Sequence, residues 1–362
     1  MLTRSPLCGA TVRLLIFLAV ATQIVLAVDP NRPTNSYIRT SFTVEDGLSS
    51  NVVNAIVQTR NGFLWIGTDA GLDRFNGRHF TPIYFRGPRA TPQGIVSALA
   101  EGPDGDLWVG TSNGLVRIAS AALDRFDRSL SIFYHPGPGM NDEITCLRFS
   151  RDGTLWVGTN VGLYRFRGGQ FESVMPGVFI SRIEESADGH LLVVTGERFV
   201  ELDGMRVVEH PGLANQLGIL PKVLFHVLQD RKGVVWFCTA AGLARRVGGS
   251  IERFQPYGVP GAPGVLRAYE DPQGNLWAWS STEIFRASAA GLEPLGENFP
   301  VRTAYGDREG NLWVATSKGI DIFRDLRVVN FSTSEGLSAD VVHSVLASRD
   351  GTIWIGGGHW IA

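Results

Sequence analysis

One eight-residue pattern occurs eight times along the chain, and this repetition limits the possible folds more than any other feature. A clear copy is Asp-Gly-Thr-Leu-Trp-Val-Gly-Thr, which ends at Thr159. The marker position of the eight copies is occupied, in order, by Trp65, Trp108, Trp156, Leu192, Trp236, Trp277, Trp313 and Trp354. Successive markers are separated by 36 to 48 residues. A period of about 40 residues is typical of units of four short strands, such as propeller blades.

Each unit has the sequence features of a four-stranded antiparallel sheet. An apolar strand, such as 52–57, leads into an Asn-Gly or Asp-Gly pair, which favours a tight hairpin because both residues tolerate positive φ. The strand that carries Trp follows, and we expect these seven Trp rings to be structural and to fill the space between blades. A Gly-Leu-x-Arg-Phe strand, as at 71–75, and a variable fourth strand complete the unit. Because one blade cannot bury both faces alone, the units should stack around a ring.

The first and eighth copies share a second element, and this element indicates the number of blades. Both copies are preceded by a Gly-Leu-Ser segment after an acidic residue, containing Gly47 in the first copy and Gly336 in the eighth. The two glycines are 289 residues apart, as are Trp65 and Trp354. The sequence therefore predicts an all-β fold. It is a seven-bladed β-propeller of four-stranded blades, followed by the start of a second propeller.

The same pattern divides the chain into segments. Residues 28–36 are predicted to be a linker, and residues 37–325 the propeller. Within it, residues 37–44 should supply the fourth strand of the last blade and close the ring, because closure removes an exposed sheet edge. Residues 326–362 are expected to hold the first strands of a truncated second propeller. This organisation predicts that the chain is a fragment of a longer protein or the product of a truncated gene.

The N-terminus has the features of an export signal. Arg4 and Arg13 precede an apolar stretch and give a positively charged first segment. Val25-Leu26-Ala27 at its end fits the small-x-small cleavage pattern. Residues 1–27 are therefore predicted to be a signal peptide. This predicts a periplasmic or secreted protein, or a membrane-anchored one if the signal is not cleaved.

Composition and spacing also exclude some classes of function. The formal net charge of −2 argues against a nucleic-acid partner. Cys146 and Cys238 lie in different repeats with no CxxC spacing, which favours two buried thiols. The histidines, including His190 and His210, show no metal-ligand spacing, so the sequence predicts neither a metal nor a cofactor.

The pattern x-Asp-Gly-x-Leu-Trp-(Ile/Val)-Gly-Thr-x-x-Gly-Leu-x-Arg, preceded by Glu-Asp-Gly-Leu-Ser, resembles the two-component regulator propeller repeat. The resemblance covers about residues 36–357. It implies the periplasmic sensor region of a histidine kinase-type regulator, whose full-length form carries an output domain. A homodimer of the full-length protein is left open by the sequence. The chain has no kinase motifs, so the resemblance implies sensing and no enzymatic activity for this chain. The fourth repeat departs from the pattern, with Leu192 in place of Trp and Val194 in place of Gly.

Ligands of propellers usually bind at the mouth of the central channel, so unusual residues on the innermost strands are candidates for binding. Such residues include Arg148 and Glu184, and the ligand-binding candidates are Arg182, His226, Arg267, Trp279 and Arg302. Several arginines favour an anionic or carbohydrate ligand through forked hydrogen bonds. The alternative is that these arginines pair with neighbouring carboxylates. Trp279 replaces the repeat Gly, and it either stacks on a sugar ring or fills space left by small neighbours.

Three functions remain open on the sequence alone. The first is an extracytoplasmic sensor that binds a small molecule or oligosaccharide and signals to an output domain absent from the chain. The second is a propeller lyase or hydrolase acting on polysaccharide, with His226 and either Glu184 or Glu270 as an acid–base pair. The third is a scaffold that binds another protein.

Overall fold

The computed structural model describes most of the chain between residues 37 and 361. The described residues are 37–84, 94–134, 143–196, 198–210, 212–218, 224–247, 249–254, 264–272, 274–288, 291–295, 301–325, 341–347, 353–357 and 360–361. The predicted signal peptide and linker lie outside them, as do residues 326–340 at the start of the predicted second propeller. No helix among the described residues is long and apolar enough to cross a membrane.

The fold is almost entirely β-structure. The strands are β1 Tyr37–Phe42, β2 Val53–Gln58, β3 Leu64–Thr68, β4 Gly71–Phe75, β5 Phe80–Ile83, β6 Val96–Glu101, β7 Leu107–Thr111, β8 Gly114–Ile118, β9 Ser131–Tyr134, β10 Ile144–Phe149, β11 Leu155–Thr159, β12 Gly162–Arg167, β13 Gln170–Pro176, β14 Ile180–Glu185, β15 Leu191–Thr195, β16 Phe199–Asp203, β17 Arg206–Glu209, β18 Leu224–Gln229, β19 Val235–Thr239, β20 Gly242–Val247, β21 Ser250–Arg253, β22 Arg267–Glu270, β23 Leu276–Trp279, β24 Ile284–Ser288, β25 Gly291–Pro294, β26 Val301–Gly306, β27 Leu312–Thr316, β28 Gly319–Asp325, β29 Ser344–Ala347, β30 Ile353–Gly357 and β31 Trp360–Ile361. The described helices are α1 (Leu213–Leu217) and the short 3-10 helices Val44–Asp46, Ser120–Ala122 and Arg128–Leu130.

Seven four-stranded antiparallel sheets form a ring, which confirms the predicted seven-bladed β-propeller. Six sheets are built from consecutive strands, from β2–β5 to β22–β25. The innermost strand of each blade lies against that of the next, and β26 in turn lies against β2. The fourth blade also has four strands, although the usual third-strand pattern is not evident in its sequence. Its third strand is β16, in which buried Val200 and Leu202 replace the usual residues.

The seventh blade takes its outer strand from the N-terminal part of the chain. β1 pairs antiparallel with β28, from Tyr37 opposite Asp325 to Phe42 opposite Ile320. This pairing joins the first residues of the ring to the last. Across the same seam, the Gln58 backbone N–H donates to the Tyr305 hydroxyl at 3.1 Å.

The core consists of seven apolar clusters, and each cluster lies between two neighbouring blades. Six marker tryptophans are buried in or beside these clusters: Trp65, Trp108, Trp156, Trp236, Trp277 and Trp313. Trp354 differs, because its side chain is 49% exposed. It lies on β30 in a separate three-stranded sheet, β29–β31. Among the described residues no further blade covers Trp354, which explains its exposure.

Blades one to three carry a glycine two residues after the marker Trp, and the packing of the next blade requires it. At Gly110, an added Cβ would lie 2.5 Å from Ile144 Cγ2 and 3.2 Å from Ala98 Cβ. Ile144 is fully buried and branched at Cβ, so it has little room to move. The absence of a side chain at Gly110 therefore lets blades two and three approach closely.

Replacing Gly110 with Ala is expected to lower the free energy of unfolding by about 1–3 kcal/mol, the usual cost of overpacking a core. Gly196→Ala is a matched control, because its added Cβ would make only ordinary contacts of 3.5 Å and longer with Phe179. Chemical denaturation of both variants measures the difference. Equal stabilities for the two variants would show that the blades adjust without cost.

Candidate functional site

A β-bulge on the innermost strand re-aims one side chain in most blades. In blade one, Val53 pairs with Thr68 and Ala55 pairs with Gly67, which leaves Asn54 as the extra residue. The same register shift occurs in five other blades, at Ser97, Thr145, Ser181, Phe225 and Arg302. In blade six Leu266 occupies the corresponding position, and its N–H donates to the Trp279 carbonyl. Bulges often re-aim side chains beside functional sites.

All seven of these residues line one cavity of about 670 Å³ at the centre of the ring. We call them the bulge ring. Each lies eleven residues before its marker position, as in the spacing from Asn54 to Trp65. This constant spacing is the signal by which the ring can be found in the sequence. Other lining residues missed from sequence are Asp69, Ile95, Glu143, Phe179 and Val301.

Four of the five candidate residues line this cavity: Arg182, Arg267, Trp279 and Arg302. Arg302 is a member of the bulge ring, and Arg182 directly follows the bulge residue of its own strand. Arg267 pairs with Trp279 across β22 and β23. The fifth candidate, His226, is 5% exposed and is not among the lining residues.

The three arginines of the cavity differ in their partners. Arg302 donates to Asn54 Oδ1 from Nε at 3.2 Å and from Nη2 at 2.6 Å, and Asn54 in turn donates to Asp69 at 2.8 Å. Arg182 donates to its neighbouring Ser181 carbonyl, and burial lowers the pKa of its guanidinium. Among the described residues, the half-buried Arg267 guanidinium has neither a hydrogen bond nor an ion pair.

Trp279 lies at the boundary between the cavity and the core. Its side chain is 3% exposed and packs in the cluster between blades six and seven with Ile284 and Val301. Its indole Nε1 is buried and has no hydrogen-bond partner in the described part of the chain. Buried indole N–H groups usually have a partner, so this donor is unusual. The packing role expected for Trp279 is present, and its contact with a ligand stays a prediction.

His226 belongs instead to a polar chain that crosses four innermost strands. Arg148 Nη1 lies 3.0 Å from Glu184 Oε2, and His226 Nε2 lies 3.5 Å from Glu184 Oε1. The Ala268 backbone N–H donates to His226 Nδ1 at 3.3 Å. Burial alone would raise the pKa of Glu184, but Arg148, the His226 hydrogen bond and Arg182 together lower it. Pairing with a carboxylate, the alternative raised from sequence, therefore applies to Arg148.

The two cysteines are free and buried. Burial raises the pKa of the Cys146 thiol to about 11, and burial also raises that of Cys238. Both groups therefore stay as neutral thiols at physiological pH, and they serve packing. Cys146 contributes to the cluster between blades three and four, and Cys238 to that between blades five and six.

Comparison with known proteins identifies the repeats. The family model described as two component regulator propeller matches residues 47–70, 91–113 and 138–161. No curated protein matches the chain in sequence.

Solved structures share the fold at low sequence identity. The extracellular domain of a hybrid two component system from B. thetaiotaomicron has a TM-score of 0.65 and 22% identity, and the match covers 88% of this chain. The chain spans 47% of that protein's length. A streptogramin B lyase has a TM-score of 0.64 and 14% identity, over 81% of this chain and 99% of the lyase. Inactive virginiamycin B lyase from Staphylococcus aureus, with quinupristin, has a TM-score of 0.61 and 14% identity, over 80% and 99% of the respective chains.

Proposed function

We propose that this chain, three of whose repeats match the two component regulator propeller model, is the extracytoplasmic ligand-sensing propeller of a bacterial two-component signalling protein. Its ligand binds in the central cavity, and occupancy is transmitted to an output domain outside this chain. The full-length protein carries that domain and forms a homodimer. The repeat family and the central cavity support this proposal.

The residues around the cavity favour an anionic carbohydrate as the ligand. The observation that carries this step is the Arg267 guanidinium, which is half-buried and unpaired among the described residues. A guanidinium binds carboxylate, sulfate or phosphate oxygens through two parallel hydrogen bonds. The bulge ring also presents Ser97 and Thr145, whose hydroxyl oxygens can accept hydrogen bonds from sugar hydroxyl groups.

A thermal-shift measurement on the chain with a panel of neutral and acidic oligosaccharides tests this proposal. A ligand that binds only the folded state at a hundredfold excess over its Kd stabilises it by about 2.7 kcal/mol. This corresponds to a rise in Tm of several degrees. We expect acidic sugars to give this rise, and Arg267→Ala to remove it.

Matched variants separate ligand contact from general damage to the fold. Arg165→Ala is the control, because Arg165 pairs with Glu172 on the outer strands of blade three, away from the cavity. It should keep the ligand-induced rise in Tm. Trp279→Phe keeps an aromatic ring but removes the unpaired indole N–H, so it should weaken binding less than Arg267→Ala. A folded chain with no shift for any panel member, or equal shifts in wild type and Arg267→Ala, would contradict a carbohydrate ligand at this cavity.

A lyase or hydrolase activity has less support from the geometry. His226 is buried, its Nδ1 accepts from a backbone N–H, and its Nε2 faces Glu184. Glu270 accepts the Arg231 backbone N–H at 2.9 Å. An acid–base pair needs to reach a substrate proton. None of His226, Glu184 and Glu270 lines the cavity. The resemblance to the lyases therefore extends to the fold alone.

A further inference from the structure

The fourth blade reverses a charge that most other blades share. In blades one, two, three, five and six, the marker Trp lies opposite an Arg on the next strand, for example Trp65 opposite Arg74 and Trp108 opposite Arg117. In blade four Leu192 lies opposite Glu201. Glu201 therefore places a carboxylate where the other blades have a guanidinium. The same blade also lacks the marker Trp, beside which those five other blades place the Arg guanidinium.

Two imidazoles converge on the Glu201 carboxylate. His190 Nδ1 lies 2.5 Å from Glu201 Oε1, and His210 Nε2 lies 2.8 Å from Glu201 Oε2. Donor atoms of Asp188, His190 and Glu201 all lie within 4.8 Å of one another. Asp203 Oδ1 lies 3.6 Å from the other ring nitrogen of His190. No spacing in the sequence indicates this grouping, because these residues come from a turn, a strand and a loop.

The cluster has an excess of negative charge. Three carboxylates surround His190, namely Asp188, Glu201 and Asp203. Within the described ranges no Lys or Arg forms an ion pair with any of them. A cation placed among them would offset this repulsion.

We propose that Asp188, His190, Glu201 and His210 bind a divalent transition-metal ion of the zinc type. A mixed set of imidazole and carboxylate donors suits Zn²⁺, whereas Ca²⁺ and Mg²⁺ prefer oxygen ligands alone. Bonds of about 2.0–2.2 Å require donor atoms only a few ångströms apart, as those of Asp188, His190 and Glu201 are. His210 Nε2 is placed beside them by its 2.8 Å distance to Glu201 Oε2.

Two further contacts suit these ligand roles. When Nδ1 of His190 binds the metal, its Nε2–H faces Asp203, which is the usual carboxylate partner of a ligating histidine. The His210 ring stacks on Phe199, with centroids 5.1 Å apart and an interplanar angle of 21°. Both side chains are thereby oriented before the ion binds, which reduces the entropy lost on binding.

Metal bound at this site would connect segments of blade four that are separate in sequence. Asp188 and His190 lie at the turn between β14 and β15, Glu201 lies on β16, and His210 follows β17. One ion bound to all four would join the turn, the third strand and the segment that leads to α1. We expect bound metal to stabilise this blade, which lacks the marker Trp.

Isothermal titration of the chain, prepared without a histidine tag, with Zn²⁺ and separately with Mg²⁺ tests the site. We expect one Zn²⁺ per chain, no comparable Mg²⁺ binding, and a rise in Tm with Zn²⁺. Asp203→Asn, which alters only the orienting carboxylate, should weaken Zn²⁺ binding by about 10–100-fold. Glu201→Gln alters a ligand itself and should weaken it more. Glu172→Gln on blade three removes an exposed carboxylate and is the control, with unchanged affinity.

A second measurement distinguishes metal binding from loss of fold. Co²⁺ is bound in place of Zn²⁺, because its visible absorption spectrum depends on its ligands. The spectrum of the Co²⁺-bound protein should differ from that of wild type in His190→Ala and in His210→Ala. Each variant is compared with wild type in the absence of metal by circular dichroism. Absence of Zn²⁺ binding to the wild-type chain would overturn the proposal, as would Zn²⁺ binding that folded Glu201→Gln and His190→Ala variants retain unchanged.

Discussion

Deleting residues 37–42 is expected to abolish the cooperative unfolding transition of the propeller. These residues form β1, the outer strand of the seventh blade, and without them β28 becomes an exposed sheet edge. The deletion also removes the partners of Asp321, which is buried and accepts hydrogen bonds from Arg39 at 2.8 Å and Ser41 at 2.5 Å. A hydrogen bond to a charged group contributes about 1.5–3 kcal/mol, so the loss of both costs about 3–6 kcal/mol. This cost is comparable with the whole stability of many domains.

A second deletion provides the control for ring closure. Residues 341–361 include the separate sheet β29–β31, in which Val345, Leu346 and Trp354 are exposed. Deleting them should leave the midpoint of thermal unfolding almost unchanged, although more residues are lost. Differential scanning calorimetry of the two variants makes the comparison. A sharp transition at the wild-type temperature in the chain without 37–42 would show that the ring does not depend on β1.

Repetition explains why so much of the fold could be predicted from the sequence. Each blade must bury its faces against its neighbours, so the same Trp, Gly and turn residues recur at nearly fixed spacing. The spacing between the two Gly-Leu-Ser segments predicted seven blades, and seven are present. Trp354 shows the limit of the pattern. Its sequence context is similar to that of buried Trp156, but its burial depends on a neighbouring blade that the local pattern does not contain.

The candidate site was predictable in position but not in its contacts. Breaks in the repeat, such as Trp279 in place of Gly, marked residues that line the cavity. Sequence could not show that Arg302 is held by Asn54 from the other side of the ring seam, whereas Arg267 is unpaired among the described residues. These differences depend on a bulge that shifts the register and on contacts between blades. The grouping of His190 with His210 likewise required the three-dimensional pairing of β15, β16 and β17.

Replacing Trp313 with Ala is expected to lower the free energy of unfolding by about 3–5 kcal/mol, as for other large side chains removed from a core. Trp313 is buried between blades seven and one. Its ring packs edge-on against that of Phe75, with ring centroids 5.3 Å apart. Its Nε1 donates to Asp307 Oδ2 at 2.7 Å, and Asp307 also accepts from Asn311. The substitution therefore removes both an apolar contact and a donor to a buried carboxylate.

The chain contains its own control for the hydrogen-bond part of this effect. In five blades the indole N–H of the marker Trp donates to a Thr, Ser or Asp six residues earlier. In blade two the residue at that position is Gly102, which has no side chain to accept this bond. The buried Trp108 Nε1 therefore has no partner within the described chain. Trp313→Phe should therefore cost about 1–3 kcal/mol more than Trp108→Phe, because only the first removes a hydrogen bond to a buried carboxylate.

The pH dependence of Trp313→Phe gives a sharper test of the same hydrogen bond. Burial raises the pKa of Asp307, while the hydrogen bonds from Trp313 and Asn311 lower it. Losing the indole N–H should raise this pKa further. A carboxyl whose folded-state pKa is raised favours folding at low pH and loses that contribution as pH rises through the folded-state pKa. The cost of Trp313→Phe should therefore be larger at neutral pH than in acid, whereas that of Trp108→Phe should not change. Denaturant unfolding of both variants at the two pH values decides this, and parallel pH profiles would show that the Asp307 contact adds nothing to stability.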